Sequence, residues 1–430
     1  MRSALIMAAR LALATQSGGD IRFATVSGPS SERSESGRAA APSPGRDPRR
    51  LAEILEEIHR LGASTTERLV ASMEERHEVR VAFTDAGEKT RRPRLGDVDV
   101  MVRELAVLGW VEVQDGQWGL TPTGDDLARR NPVADPARFS LALCLAHEER
   151  NKRVISRLLA RLWELNPERQ GAAILLRPPV TAAPNDVPAL ALWLSSALPS
   201  WLGAHAAGMS GLTTPDPVDA LAEKVVRSLG RGWGSLRPSE RRKRLEEALT
   251  ERLLDLLFGP IVAPRDFWVW QTRMDWAGLT LLARRLPAVH GRVWFPVGAF
   301  RRPGNPSFTA IQGLEREGLS FHVYTPDGPE AEERFASVLH DCYVARQQRD
   351  RVEYVSLLSV RDHVCYLLRI GNTRFEHLLQ RIFPRILHGD LPYAMALEVD
   401  LSLADRRRIA GYLPVTIDHT PRYILSMRRR

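Results

Sequence analysis

Lysine is nearly missing from this chain of 430 residues, since only four of its 60 basic residues are lysines: Lys89, Lys152, Lys224 and Lys243. No lysine follows a glycine, which excludes the Walker A motif of P-loop ATPases. The Glu-x-Lys of restriction-type nucleases and the His-x-Lys of phospholipase D enzymes are missing as well. The preference for arginine is typical of a GC-rich genome, although the guanidinium also suits phosphate binding.

Cysteines and long apolar runs are also scarce. Cys144, Cys342 and Cys365 are widely spaced and form no Cys-x-x-Cys pair, so the sequence supports neither a zinc ribbon nor a disulfide framework. No run of 18 apolar residues predicts a transmembrane helix. Residues 1–18 faintly resemble a signal peptide, but Arg10 interrupts the apolar stretch. We therefore expect a reduced, cytoplasmic protein that does not contact a membrane.

Charge is distributed unevenly along the chain. The formal net charge is +8, yet residues 51–130 carry 11 basic and 16 acidic residues, whereas residues 356–430 carry 12 arginines and seven acids. The C-terminal segment should therefore attract phosphate, and the acidic segment should not. Residues 1–49, which are basic and rich in small polar residues, are expected to be disordered.

Residues 50–131 predict three helices, a hairpin and a short closing helix. Apolar residues recur at helical spacing before Gly62 and again before Gly109. Strand-like alternation then flanks Asp115-Gly116, a strong hairpin turn signal. Leu127 begins the closing helix.

The stretch ELAVLGWVEVQDGQWGLTPTGDDLARR resembles the end of prokaryotic winged helix-turn-helix domains of the MarR and PadR kind. In those domains Leu-x-x-x-Gly-Trp ends the recognition helix and Leu-Thr-x-x-Gly follows the wing. The matching positions are Leu105, Gly109, Trp110, Leu120, Thr121 and Gly124. The resemblance implies a DNA-binding fold. However, the third helix carries three acids and only Arg103 as a base. We therefore expect this domain to contact a protein.

The middle of the chain predicts a helical domain over residues 132–260 and a mixed α/β segment over residues 261–350. The strongest helix is expected over 239–257, and its basic run, Arg241 to Arg244, reads as a solvated face. Trp268, Trp270 and Trp276 stand among apolar residues, which favours core packing over base stacking. Strands are expected over residues 292–297 and 319–324, followed by a helix over 330–347.

Residues 351–430 predict a second domain that resembles a winged helix. Two helices are expected first, and the second is capped by Asn372 and contains the apolar stripe of 375–383. Two strand-like stretches follow, over 393–401 and 415–427. On the second helix Arg374, His377 and Arg381 share the face opposite the apolar stripe, at i, i+3 and i+7. We predict that double-stranded DNA is bound by these three residues with Gln380 and by the flanking basic residues Arg406, Arg407, Arg408 and Arg428. The basic stretch of the N-terminal domain adds the candidate DNA contacts Arg91, Arg92 and Arg94.

No established catalytic motif is present. His147 does not begin His-Glu-x-x-His, and Gly208 to Leu212 fails the Gly-x-Ser-x-Gly pattern at its last position. A metal or acid–base site would have to be assembled from scattered residues. The candidates that lie closest together in the sequence are His322, Asp327, His340, Asp341 and Cys342. No cofactor or metal is therefore expected.

Together these patterns predict a mainly α protein with small β wings. It would be a non-enzymatic DNA-binding accessory protein of a prokaryotic DNA-processing or anti-phage system, with the acidic N-terminal domain on a protein partner. The alternatives are a ligand-responsive transcription regulator, which would be a homodimer on a palindromic operator, a divergent nucleic-acid-processing enzyme with a site in residues 264–345, and a protein-interaction scaffold.

Overall fold

The computed structural model describes residues 38, 48–76, 81–84, 87–90, 95–164, 174–175, 180, 183–203, 215–229, 232–282, 292–294, 297–300, 308–316, 319–399, 413, 415–417 and 420–430. These residues are mainly helical with small antiparallel sheets, which confirms the predicted class. Within the described ranges no helix is both long and apolar enough to cross a membrane.

The N-terminal unit contains the predicted helices and hairpin, plus a second hairpin that the sequence did not predict. In chain order its elements are α1 Pro48–Leu61, α2 Thr66–Arg76, β1 Val81–Thr84, β2 Gly87–Thr90, α3 Leu95–Val107, β3 Val111–Gln114, β4 Gln117–Leu120 and α4 Pro122–Arg129. The predicted hairpin pairs β3 with β4 around Asp115-Gly116, and the unexpected one pairs β1 with β2. One core of apolar side chains joins α1, α2 and α3.

A glycine contact explains part of the sequence pattern after α3. Gly109 follows the helix with φ +74, a conformation that favours glycine. Thr121 accepts a hydrogen bond from the Gly124 N–H and donates one to the Gly109 carbonyl. A Cβ at Gly124 would lie 1.9 Å from the Trp110 carbonyl oxygen. A side chain at position 124 would therefore force the start of α4 away from the end of α3.

The middle of the chain continues with helices and two small sheets. Its elements are α5 Pro136–Arg150, α6 Val154–Glu164, β5 Ile174–Leu175, α7 Val187–Gly203, α8 Pro215–Leu229, α9 Pro238–Phe258, α10 Pro264–Trp276, β6 Leu281–Leu282, β7 Arg292–Trp294, β8 Val297–Phe300, β9 Phe308–Arg316 and β10 Leu319–Tyr324. The sheets have the orders β5-β7-β6 and β8-β10-β9. The strand expected over 292–297 is thus two strands, and β9 was not predicted.

Helix α10 packs against α5 and α9 of the middle of the chain and also contacts the helix Asn372–His388 near the C-terminus. Trp270 and Trp276 are 0% and 1% exposed, which confirms that they are core residues. Trp270 packs in the core that α10 shares with α6 and α9. Arg49 at the start of α1 stacks over the Trp276 ring, with its Cζ 5.1 Å from the ring centroid. The basic run of α9 is only partly solvated, because Arg241 is buried and donates to Asn185 Oδ1 at 2.6 Å.

The C-terminal unit begins with a long helix and ends in a three-stranded sheet. Its elements are α11 Pro329–Asp350, β11 Val355–Ser356, α12 Leu357–Leu368, α13 Asn372–His388, β12 Tyr393–Glu398, β13 Val415–Ile417, β14 Thr420–Arg422 and β15 Ile424–Arg429. The last strand β15 lies between β11 and β12, and both pairs are antiparallel. All three helices and this sheet share one core. The unit therefore has the order helix, strand, helix, helix and four strands, of which β13 and β14 pair with each other as a separate hairpin and the first strand, β11, pairs with the last, β15.

Candidate functional site

Helix α13 carries most of the predicted DNA-contacting residues, and its sides differ. Its apolar stripe, which includes Phe375, Leu378 and Ile382, is buried in the core of the unit. His377 and Gln380 are exposed, as the sequence predicted. Arg374 is not, because only 8% of it is accessible, so the expected solvent-facing position of this arginine is wrong. The spacing i, i+3, i+7 placed it on one side of the helix but did not show what packs there.

The arginines of α13 lie along the flank that faces the start of α11. Arg374 Nε donates to the Pro326 carbonyl oxygen at 2.9 Å, and its Nη2 is 3.3 Å from Asp327 Oδ1. Arg381 pairs with Asp327 and also with Glu332, where Nη2 is 2.5 Å from Oε1. Arg385 Nη1 lies 2.6 Å from Glu332 Oε2. Two carboxylates thus hold three guanidinium groups at one junction of helices.

This junction shifts the pKa values of its members. The Gly328 N–H and the two arginines lower the pKa of Asp327, so this carboxyl stays ionised at neutral pH. Burial, with the charges of Arg374 and Arg381, lowers the pKa of His377. Because Arg374 Nη1 is 2.7 Å from His377 Nδ1, the neutral ring accepts a hydrogen bond there. His377 is therefore a neutral polar group at neutral pH and adds no positive charge for phosphate.

The N-terminus of α13 is docked against α10. Asn372 was predicted to cap the helix, but Gly371 is the cap residue and the Asn372 side chain donates to Asp275 Oδ1 at 2.9 Å. Asn372 is only 1% exposed. Next to it, a Cβ at Gly278 would lie 2.8 Å from Thr373 Oγ1. The first turn of α13, which a recognition helix turns toward base edges, is thus packed against the protein in this conformation.

The remaining predicted DNA contacts are distributed as follows. Arg428 is exposed on β15, opposite Ala394 of β12. Gln380 is exposed and donates to the Thr416 carbonyl oxygen at 2.9 Å. The other six lie outside the described residues: Arg91, Arg92, Arg94, Arg406, Arg407 and Arg408.

A second polar cluster, which the sequence did not reveal, joins the N-terminal unit to the middle of the chain. Glu104 of α3, His147 of α5 and Arg273 of α10 are all buried. His147 Nε2 lies 2.8 Å from Glu104 Oε1 and 3.0 Å from Arg273 Nη1. Arg273 also donates from Nη2 to Glu104 Oε2 at 3.1 Å. The Trp270 ring packs edge-on against His147, with the ring centroids 4.8 Å apart.

The charges within this triad balance. Burial alone would raise the pKa of Glu104, but the Arg273 charge and the hydrogen bonds from His147 and Arg273 outweigh it and hold that pKa well below the usual range. Burial, together with the charge of Arg273, lowers the pKa of His147 despite its bond to Glu104, which leaves the ring neutral. One carboxylate and one guanidinium therefore face each other around a neutral imidazole. The sequence signal for this triad is Glu104 itself, a charged residue within the apolar stripe of α3.

Within the group of residues considered as a metal or acid–base site, His340 Nδ1 lies 3.6 Å from Asp341 Oδ1, but other members have partners elsewhere. Asp327 is paired with the arginines, and the His340 ring packs on Tyr393 with centroids 5.3 Å apart. Burial raises the pKa of the Cys342 thiol, which makes it a poor nucleophile. Among the residues that the structure describes, no three His, Cys, Asp or Glu side chains are grouped as metal ligands. The described part of residues 264–345 thus supplies no assembled metal site.

Comparison with known proteins supplies no further assignment. No protein-family model matches the chain, and neither a curated protein nor a solved structure shows significant similarity to it.

Proposed function

We propose that this protein binds double-stranded DNA without catalysing a reaction and acts as an accessory protein of a prokaryotic DNA-processing or anti-phage system. The observation that carries the proposal is the topology of the C-terminal unit, with β15 between β11 and β12 and two consecutive helices between the first two strands. Apart from the β13–β14 hairpin, this order resembles that of a winged helix, in which the second of those helices, here α13, would be the one presented to the major groove.

The exposed chemistry around α13 is consistent with this role. Gln380 can pair with adenine, Arg381 with guanine or phosphate, and the exposed Arg428 on the neighbouring sheet with backbone phosphate. Nearby, Arg429 and Arg430 are also exposed, so positive charge continues beyond the end of the helix. We infer that phosphate contacts, including those of Arg381 and Arg428, supply most of the affinity and that Gln380 supplies what sequence preference there is.

A protein partner is proposed for the N-terminal unit. The outward side of α3 exposes Leu95, Val100 and Val107, which are 47%, 40% and 64% accessible. Its one exposed base, Arg103, is neutralised by Asp99 at 2.8 Å. Apolar and acidic surface on a helix in this position suits a protein better than a polyanion.

The test is the affinity for random-sequence duplex DNA across a salt series, with Arg381→Glu and Arg428→Glu as variants. We expect log affinity to fall steeply with log salt and each reversal to weaken binding and reduce that slope. Arg242→Glu is the matched control, since Arg242 is an exposed arginine on α9 and should change little. If both variants bind like the unmodified protein, the C-terminal unit is not the DNA-binding surface.

Sequencing the DNA that the protein retains from the same random pool, together with the mass of the protein in solution, separates this proposal from a ligand-responsive regulator. A regulator would form a homodimer and select a palindromic sequence from the random pool. An accessory protein would bind with weak sequence preference.

A further inference from the structure

The carboxylates on the flank of α13 occupy positions suited to phosphate. Asp327 contacts Arg374 and Arg381, and Glu332 contacts Arg381 and Arg385. The three arginines are spaced over three helical turns, and each forms a charge-assisted contact with a carboxylate oxygen. Arginine forks of this kind bind phosphate as readily as carboxylate.

The two carboxylates are held in different ways. Glu332 is 4% exposed and lies in the first turns of α11, so it is part of the packing between α11 and α13. The Asp327 side chain is 64% exposed and lies in the short connection between β10 and α11. Since an exposed ion pair is weak and competes with other anions, the contacts of Asp327 are the ones that an incoming phosphate can replace.

We propose that Asp327 is an intramolecular competitor of nucleic-acid phosphate, which closes the arginine flank of α13 until DNA displaces it. This proposal deepens the DNA-binding function proposed above and rests on it. In the closed state Arg381 is neutralised by Asp327 and Glu332. In the DNA-bound state Arg381 exchanges the Asp327 carboxylate for a phosphate oxygen, while Glu332 keeps Arg385 and the helix packing in place.

Burial explains why the exchange involves Arg381 more than Arg374. Arg374 also donates to the Pro326 carbonyl and is almost fully buried, whereas 38% of the Arg381 side chain is accessible. A duplex approaching the outward side of α13 would therefore reach Arg381 before Arg374. Arg374 remains a residue that positions the connection carrying Asp327.

The experiment compares DNA affinity of the full-length protein with that of Asp327→Asn, which keeps the size of the side chain and removes its charge. We expect the variant to bind random duplex DNA about twofold to fivefold more tightly at low salt, because one exposed competing charge is removed. The control is Glu330→Gln, which removes the same charge from an exposed position on α11. Position 330 is two residues from Glu332 and so faces away from it on the helix.

A second pair of variants guards against an effect of net charge alone. In Arg381→Gln the Asp327 carboxylate has lost its main accessible partner. Adding Asp327→Asn to this variant should therefore bring almost no further gain in DNA affinity. Thermal unfolding of each variant shows whether it is folded. If Asp327→Asn and Glu330→Gln raise affinity equally, or if the gain persists in the Arg381→Gln background, the competition proposal is wrong.

Sodium tripolyphosphate, used as a second probe, separates failure of this inference from failure of the proposed function. If no form of the protein binds DNA but Asp327→Asn binds tripolyphosphate more tightly than the unmodified protein does, the competition is supported and the DNA-binding function is not. If DNA binds equally to both forms, the function is retained and the competition is overturned. If neither probe distinguishes the variant and DNA does not bind, both are overturned.

Discussion

The two helices that a winged helix would present to DNA, α3 and α13, both contact α10, but through different chemistry. Glu104 of α3 pairs with Arg273 in a fully buried triad. Asn372 of α13 forms one hydrogen bond with Asp275, two residues farther along α10. An uncompensated buried charge costs more than a lost single hydrogen bond, so α3 should be fixed to α10 more firmly than α13 is.

This difference bears on the proposed roles of the two units. A helix held by a buried ion pair remains part of the scaffold, and its other side is available only as a fixed surface. Helix α13 is held by its apolar stripe in the core of the C-terminal unit, whereas the Asn372–Asp275 hydrogen bond at its end and the partly exposed ion pair of Arg381 with Asp327 are polar contacts that a ligand can replace. The comparison therefore favours α13 as the helix that responds to DNA and α3 as a fixed binding surface.

The largest effect is expected from breaking the triad. Arg273→Met leaves Glu104 buried without its main partner, and the free energy of unfolding should fall by about 3–5 kcal/mol. The measurement is urea unfolding followed by tryptophan fluorescence. A loss below about 1 kcal/mol, the range of exposed ion pairs, would show that Glu104 is hydrated in solution.

The matched control is the double variant Glu104→Leu with Arg273→Met. It removes both charges and should recover much of the stability lost in the single variant, since apolar replacement of a buried ion pair is often close to neutral. If the double variant is as unstable as Arg273→Met, shape rather than charge determines the packing at this site.

The docking of α13 can be tested by making its contact repulsive. Asn372→Asp would place a second carboxylate against Asp275, and we expect stability to fall by about 1–3 kcal/mol. Hydrogen exchange should show a selective increase in the first turn of α13, because the contact is local. Asn372→Ala removes the hydrogen bond without adding a charge and should have a smaller effect. Equal exchange in α3 and α13 would contradict the view that α13 is the less firmly fixed helix.

A half-buried acid on α13, Glu376, gives a pH-dependent test of how this helix packs against β13. Burial raises the pKa of Glu376 to about 7, while the Thr416 N–H and Arg361 lower it and Asp135 raises it. Since the pKa is higher in the folded state, the stabilisation that it contributes is fully present below the unfolded pKa. It is lost as the pH rises through about 7.

Glu376→Gln removes this loss, because the amide resembles the protonated carboxyl. The variant should be more stable than the unmodified protein by about 1–2 kcal/mol above pH 8, with little difference near pH 4. Thermal unfolding at several pH values measures the difference. A constant difference across that range would mean that Glu376 does not titrate with a raised pKa.

The sequence predicted helices and a hairpin better than it predicted polar contacts between them. Helical periodicity located α9 and α11 to within a few residues, and Asp115-Gly116 located the β3–β4 hairpin. These features depend on neighbours in the chain. The triad could not be predicted in this way, because Glu104 and Arg273 are 169 residues apart.

The candidate site shows the same limit. Helical spacing correctly placed His377 and Gln380 on the exposed side of α13. It did not place Arg374, whose burial depends on Pro326 and Asp327 from a separate segment of the chain. A periodic pattern identifies the residues that share a side of a helix, whereas the neighbour that covers that side is set by tertiary packing.

The smallest effects concern exposed ion pairs and distinguish local from tertiary contacts. Asp99 and Arg103 form an i, i+4 pair within α3, so Arg103→Ala should reduce stability by only about 0.3–0.5 kcal/mol. Arg381 instead joins α13 to Asp327 and to the buried Glu332 of α11. Arg381→Ala should therefore cost more, about 1 kcal/mol or above, because the carboxylate left behind on Glu332 is buried.

Unfolding at low and high salt measures the loss of stability in Arg103→Ala and in Arg381→Ala. Salt should remove most of the effect at Arg103 but less of that at Arg381, since screening weakens exposed pairs most. Equal costs at the two positions would show that the α11–α13 contacts are as dispensable as a surface pair.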